Sequence, residues 1–463
     1  MKSQVDLLEA FLLDAGASLG FDPSRDILTV TARYEKEGFP FLSIALPRLD
    51  DLLLAGLRDG LLPTAVGWKS RCAYPEFLKD LWSRIFSPDG VLLDNPCHHS
   101  IHYVRQITRA FKKVFEICAQ DRIDAALERF AQLDAELPSR ADVARRIDPM
   151  AQAVSQILFG KLIGESVTSP IIGGHGPGAV SERFGTNRRW DFPIVSESIA
   201  SLVGFDLFRP NWESLLETPP EVGTVPARLI AVPKTAEKPR LISIEPSYNQ
   251  FVQQSLMRYL RDGMRRNRMI CEITDQGRNR ALAYEGSIGG HLATIDLSDA
   301  SDRVSLGLVE ELFGFNPTFI RYLRLSRSAF VELPNGKLVL LNKFASMGSA
   351  LTFPVEAMVF TALVVTSICR AVGNFDPRFI KNLGRQGSLG LSVYGDDIIV
   401  PVEHAQTVMD NLEAVGLKVN REKSFYKGLF RESCGMDAYA GRTVTPIYVR
   451  AHLPRSTADS EGR

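Results

Sequence analysis

"LSVYGDDIIV", residues Leu391–Val400, sets two aspartates between two short apolar runs. "LSVY" and "IIVPV" read as β-strands, and Gly395 between them tolerates the positive φ of a tight hairpin. Asp396 and Asp397 then fall at or beside its tip. No Lys or Arg occurs from Gln386 through Leu417, whereas Glu403, Asp410 and Glu413 share that window. The charge must therefore be solvated, paired from a distant segment, or bound to a cation. An exposed polar turn is the bland reading, but the flanking runs are too apolar for a free hairpin.

A second carboxylate stands in "HLATIDLSDASDRVS" (His291–Ser305). "LATI" reads as a strand with Asp296 at its end, followed by a helix whose first turn Asp299 suits as a cap. Carboxylates from two strand ends brought within a few ångströms repel, so they protonate or bind a divalent ion. Mg²⁺ suits oxygen ligands of this kind, completed by substrate phosphates. Mg²⁺ with phosphates points to phosphoryl transfer, in which two ions can clamp the attacking and leaving oxygens. "RLIAVPKTAEKPRLI" places Arg228, Lys234, Lys238 and Arg240 in and around two β-runs joined by a turn. That compact cationic arm suits a triphosphate, although a solvated basic hairpin has the same composition.

The bulk numbers agree with a local anionic partner. Lys plus Arg equals Asp plus Glu at 54 each, so no global basic signal for nucleic acid exists. From Pro226 to Arg280, however, 11 Lys and Arg face 5 Asp and Glu, a net of +6, while Met1 to Gly60 carries 6 against 10, a net of −4. The six cysteines form no CxxC pair, which fits a reducing compartment. "CHHSIHY", with Cys97, His98, His99 and His102, lacks the second ligand pair of a zinc site and reads as a loop or helix start. "MKSQVDLLEAFLLDAG" is an amphipathic helix with Asp6 and Glu9 in its pattern, not a signal peptide. Ala357 to Cys369, the longest uncharged apolar stretch, reads as a buried helix too short to span a bilayer, in a soluble protein.

Residues 1 to about 165 read as largely helical, with three- and four-residue apolar spacing in "YVRQITRAFKKVFEICAQ" and "RIDAALERFAQLDAEL". "GGHGPGAVSERFG" (173–185) marks a boundary or hinge. Beyond "RPNWESLLETPPEVGTVPAR" (209–228) the texture changes to β-like runs alternating with helices: "RLIAVP", "PRLISI", "HLATIDL", "KLVLL", "LSVY" and "IIVPV". The expectation is an α+β fold, a mixed sheet with helices packed on it.

"TIDLSDASD", "MGSALTFPVEAMVF", "YGDD", "NREKSF" and "FRESCG" occur in that order, with "HGPGAV" and "DQGRNRALAYEGS" upstream. Together they resemble the replicase catalytic subunits, RNA-directed RNA polymerases, of the small single-stranded RNA bacteriophages (the leviviruses), most clearly over residues 170–450. The resemblance implies a right-handed polymerase. Residues 1–165 would form a mostly helical N-terminal region contributing to the fingers, 166–290 fingers with the nucleotide-gripping segment, 291–430 the palm with a small antiparallel sheet, and 431–463 the start of a thumb shorter than the family's. Asp296, Asp396 and Asp397 would gather two Mg²⁺ ions, with Mn²⁺ able to substitute, and Lys423 would protonate departing pyrophosphate. Arg228, Lys234, Lys238 and Arg240 would grip the triphosphate. Asp302, Gly348, Ser349 and Thr352 would sense the ribose, with Glu356 standing where many viral RNA polymerases have Asn. Template and product RNA, ribonucleoside triphosphates, and the host elongation factors Tu and Ts are the implied partners, without a membrane, in the cytoplasm of the bacterial host. A reverse transcriptase would usually carry a non-Gly residue before the Asp pair and an aromatic near Ser301 and Asp302. A non-catalytic RNA-binding protein derived from a polymerase would not need the three aspartates intact.

Overall fold

In the computed structural model, residues 2–114, 118–183, 189–190, 192–208 and 221–450 are described. Residues 115–117 of the predicted helix from Tyr103, 184–185 of the glycine-rich stretch, most of 209–228, and the final 451–463 of the expected thumb lie outside them.

All six predicted β-runs form strands. The strand Leu292–Ile295 pairs antiparallel with Asp397–Pro401, which pairs antiparallel with Ser392–Tyr394. Every residue of "LATI" is buried because helices cover both faces of this small sheet. Alternation divides the faces. Ala293, Ile295, Ile398 and Val400 enter the main core with the helix Thr352–Val372, whereas Leu292 and Ile399 meet Ala283 on the helix Gly277–Gly289. Thr352–Val372 is long and apolar enough to cross a membrane by length and composition. With 83% of its most apolar window buried inside the fold, it is the core helix, lying between the helices Val402–Ala414 and Ala151–Thr168.

A second sheet runs in the order Arg240–Ile244, Ala227–Val232, Phe330–Glu332, Leu338–Leu340. It carries the cationic segment, and Phe130 of the helix Gln120–Ala135 packs on it. A third sheet is the meander Phe430–Ser433, Met436–Tyr439 and Arg442–Thr443, which the sequence reading did not anticipate.

Two helical expectations are corrected. The helix read through "YVRQITRAFKKVFEICAQ" runs from His98 to Arg109 and then gives way to turns, although Phe111 and Val114 continue its apolar spacing and are buried in the N-terminal core. The helix after Asp296 starts in two pieces, Ala300–Arg303 and Leu306–Phe313, and Asp299 makes no capping hydrogen bond. Asp299 sits in the left-handed region at φ 52°, and the capping hydroxyl is that of Ser305, which accepts the Leu308 N–H at 3.1 Å. "CHHSIHY" is a helix start, with Cys97 at the capping position.

The apolar core of residues 8–114 also takes in Phe425, Phe430, Tyr439 and Val444. Buried charge fastens this union. Arg105, with no solvent exposure, donates to Asp437 at 2.7 Å and lies 3.7 Å from Asp50, which accepts from Arg109 at 2.7 Å. Gln106 adds two bonds to the backbone of Ile447, at 2.8 and 3.0 Å. Asp437→Ala leaves Arg105 buried with half its pairing, so it is expected to cost about 3–5 kcal/mol of stability. A urea titration checks this as a lower midpoint at unchanged slope; an unmoved midpoint contradicts it.

Candidate active site

The Tyr394–Asp397 pairing leaves Gly395 and Asp396 as a two-residue hairpin loop. Gly395 has φ +58° and Asp396 is not in the positive-φ region, the pattern of a type II′ turn, whose first position favours glycine. A Cβ there would also lie 2.2 Å from the Phe353 ring, which packs edge-on against Tyr394. The tip is thus held against the start of the core helix, with Asp396 exposed.

Because Ile295 pairs with Ile398, Asp296 leaves its strand at the same end as Asp397. The segment 418–425 runs along the other edge: Phe425 and Thr294 exchange backbone bonds at 2.7 and 3.0 Å, and the Asn420 N–H donates to the Asp296 carbonyl at 2.9 Å. Its side chains then address Asp296 directly. Asn420 Nδ2 donates to the carboxylate at 2.9 Å, and Ser424 Oγ accepts the Asp296 N–H at 3.1 Å. Burial pushes the Asp296 carboxyl up to about 7; the Lys423 ammonium opposes this, while Asp396 and Asp397 add to it.

Asp397 faces the meander. Its carboxylate accepts from Ser433 Oγ at 3.2 Å, the Cys434 N–H at 3.3 Å and Cys434 Sγ at 3.4 Å. Burial, then the charge of Asp396, pushes it up to about 6. Asn279 ties this corner together, donating to the Asp397 carbonyl and to Ser433 Oγ, both at 3.1 Å, and accepting from Ser392 Oγ at 2.6 Å. Sequence reasoning named none of Asn279, Asn420, Ser424, Ser433 or Cys434 as site residues. All five lie in stretches quoted for the family resemblance, which was the available signal.

Of the four cationic candidates, Lys234 shares the field of the aspartates. Burial, then Arg240 and Lys423, hold its ammonium below the usual lysine range, and Asp396 and Asp296 work the other way. The turn beyond it is closed by Thr235 and Lys238, whose backbone groups bond at 3.2 Å, and is braced by Arg122 donating to the Ala236 carbonyl at 2.9 Å. Lys238 and Arg240 are exposed. Arg228 lies toward the opposite end of its strand from Lys234, so these four do not form one cluster.

Gly348, at φ +121°, lets Ser243 approach so closely that a Cβ would meet its carbonyl oxygen at 2.1 Å. Ser349 Oγ accepts the Leu351 N–H at 3.3 Å and Thr352 Oγ1 donates to the Ser346 carbonyl at 2.7 Å, so both hydroxyls already brace the turn into the core helix. Glu356, one turn further in, is buried. Burial first, and the charges of Asp396 and Asp302 next, raise its carboxyl well above the usual range. Asp302 pairs with the ammonium of Lys343 at 3.0 Å.

Among the described residues, no three Asp, Glu, His or Cys side chains close into a ready-made metal cage. The arrangement is an open acidic end of a sheet with lysines at its rim, suited to an ion that keeps part of its coordination for substrate.

A model of the family "RNA replicase, beta-chain" matches residues 222–458. The RNA-directed RNA polymerase subunit beta of Enterobacteria phage SP is 40% identical over 232 residues, 50% of this chain and 37% of that protein. That of Escherichia virus Qbeta is 38% identical over 235 residues, 50% of this chain and 36% of the relative. The RNA-directed RNA polymerase beta chain of Escherichia phage MS2 is 37% identical over 224 residues, 48% and 37%. The matched part thus spans little more than a third of these relatives. A solved structure titled "RdRp complex" aligns with 86% of this chain and 40% of its own, at TM-score 0.46 and 10% identity.

Proposed function

Because the chain belongs to the RNA replicase beta-chain family, we propose that it extends RNA from ribonucleoside triphosphates on a single-stranded RNA template, as part of phage genome replication in the infected bacterial cell. The observation that carries this reading is the meeting of Asp296 and Asp396 at one end of the small sheet, with Asp397 behind them and Lys423 and Lys234 in the same field. In this proposal residues 291–430 form the palm, 166–290 the fingers, 1–165 a helical N-terminal region and 431–463 the start of a thumb. The word subunit in the relatives' names extends the proposal to an assembly with other polypeptides, for which the host elongation factors Tu and Ts are the candidates.

The donor set fits Mg²⁺: hard carboxylate oxygens, two of them with raised proton affinity because burial and mutual repulsion leave their charge uncompensated. Mg²⁺ bound by Asp296 and Asp396, with Asp397 supporting from its hydrogen-bonded corner, would acidify a primer 3′-hydroxyl and offset the triphosphate's charge. Asn420 and Ser424 hold Asp296 in place, and Asn279, Ser433 and Cys434 hold Asp397, so the site is set before substrate arrives. Lys234 offers its ammonium to the triphosphate at the rim. Lys423, whose charge reaches Asp296, would pass a proton to the leaving pyrophosphate. Asp302 faces the ribose, and the Gly348–Thr352 turn supports the sugar's floor.

The test is incorporation of labelled ribonucleotides on a short RNA template–primer with Mg²⁺. Template-dependent extension supports the reading, and incorporation indifferent to template sequence sinks it. In the same assay Lys234→Met is expected to raise the nucleotide KM by about tenfold, with template affinity unchanged, since one charge-assisted contact to phosphate is lost. A change confined to template affinity would reassign Lys234 to the RNA backbone.

A further inference from the structure

We propose that Lys343 is a positioning residue for nucleotide sugar selection, acting through Asp302. This rests on the reading that Asp302 faces the ribose.

Lys343 has no solvent exposure, and its Nζ lies 3.0 Å from Asp302 Oδ1, 3.9 Å from Asp134 Oδ1 and 3.5 Å from the centre of the Phe130 ring. A lysine so desolvated is costly to keep unless its charge has work to do. Asp134 does not depend on it. The two oxygens of its carboxylate accept the backbone N–H groups of Asn342 at 2.7 Å and Lys343 at 3.0 Å, and its carbonyl accepts from Asn342 Nδ2 at 3.1 Å. Asp302 is the opposite case. Among the described residues its carboxylate hydrogen-bonds only to Lys343, and its side chain is 28% exposed. The ammonium is therefore shared between an anchored aspartate and one whose free face is open to a ligand.

The lysine is also rigidly placed. The Phe344 N–H donates to the Val304 carbonyl at 2.8 Å and the Leu306 N–H to the Asn342 carbonyl at 2.9 Å, so residues 342–344 are bonded to the turn that follows Asp302. Arg327 closes the other side, donating to the carbonyls of Lys343 and Phe344, both at 2.9 Å. With both backbones locked, the Nζ contact decides where the Asp302 oxygens point. Beyond Asp302 lies the buried Glu356, whose carboxyl its charge helps to hold high. The geometry thus gives a row from Asp134 through Lys343 to Asp302, with one accessible end. A group that recognises a hydroxyl must be held to a fraction of an ångström to reject the analogue lacking it.

The experiment measures KM and kcat for a ribonucleotide and its 2′-deoxy counterpart with the full chain, Lys343→Met, Asp302→Asn and the double variant. Methionine keeps the apolar stem against Phe130, and Asp134 keeps its two N–H bonds, so folding is preserved; a melting temperature checks this. Lys343→Met is expected to lower the preference for the ribonucleotide about tenfold, through KM, with kcat within about twofold. Placed on top of Asp302→Asn it is expected to change nothing further, as a residue acting through Asp302 must. Wild-type discrimination in Lys343→Met, or an equal loss in both backgrounds, overturns the inference. If Asp302→Asn itself discriminates as the wild type does, the reading of Asp302 beneath it fails instead.

Discussion

Asp396→Asn is expected to cut nucleotide incorporation by about a hundredfold to a thousandfold, the scale of removing one preorganised electrostatic contact to a transition state. The substitution isolates charge from shape. Asp396 occupies the second loop position of the hairpin, where asparagine is well tolerated. Its side chain is exposed and accepts no hydrogen bond from the described residues, so nothing structural is removed. The melting temperature and RNA affinity are accordingly expected to stay put. What disappears is a charge that its neighbours register: it raises the carboxyls of Asp296, Asp397 and Glu356, and it partly offsets the depression of Lys234. The measurement is single-turnover extension of an RNA primer, with RNA binding read separately by anisotropy. A variant retaining a tenth of the activity would remove Asp396 from the chemistry. A variant that lost RNA binding in parallel would make the residue part of the template surface.

What the sequence made legible was whatever is encoded within a few residues. A strand buried on both faces must be apolar throughout, so "LATI" and "IIVP" stand out, and a carboxylate ending such a run is conspicuous. The glycine of a two-residue loop is equally local, and its second reason, the Phe353 ring where a Cβ would stand, is not. The illegible parts depend on elements far apart in the chain. Nothing near Asp397 indicates that Ser433 and Cys434 will bond its carboxylate, or that Asn279 will brace both. Lys343 sits in "LNKFASMG" with no periodic signal, and its burial comes from Asp134 and Phe130, more than 200 residues upstream. Asp299 misled for a different reason. Its position in the pattern suited a cap, but the left-handed backbone there hands the role to Ser305, which only the three-dimensional course of the turn decides. The four cations separate for the same kind of reason: spacing put them in one arm, while strand direction carries Arg228 toward the end away from Lys234.

Asp296→Asn is expected to stabilise the metal-free protein at pH 8 while removing its activity. The sign follows from the carboxyl's proton affinity. Unfolded, it titrates near 3.8; folded, it titrates near 7, because burial and the charges of Asp396 and Asp397 outweigh Lys423 and Asn420. Below about pH 4 both states hold the proton and the group contributes nothing. Between about 4 and 7 the unfolded chain releases it while the fold retains it, so stability falls as pH rises, and above 7 the penalty is complete. Its size is on the order of 2–4 kcal/mol, toward the lower end because Asp296 is partly accessible and screened. Asparagine never ionises and keeps a carbonyl oxygen for the Asn420 donor, so it escapes that penalty. In EDTA the variant is expected to melt a few degrees above the wild type at pH 8, by a smaller margin at pH 5, and close to it at pH 4. Added Mg²⁺ reverses the order: an ion bound by the folded state alone raises the wild-type melting temperature, and the variant, lacking one ligand, responds weakly. A variant that melts lower at pH 8, or gains as much from Mg²⁺ as the wild type, would show that Asp296 is a structural carboxylate whose charge the fold already neutralises. The predicted pattern instead marks a site that gives up stability to keep uncompensated charge where a cation must bind.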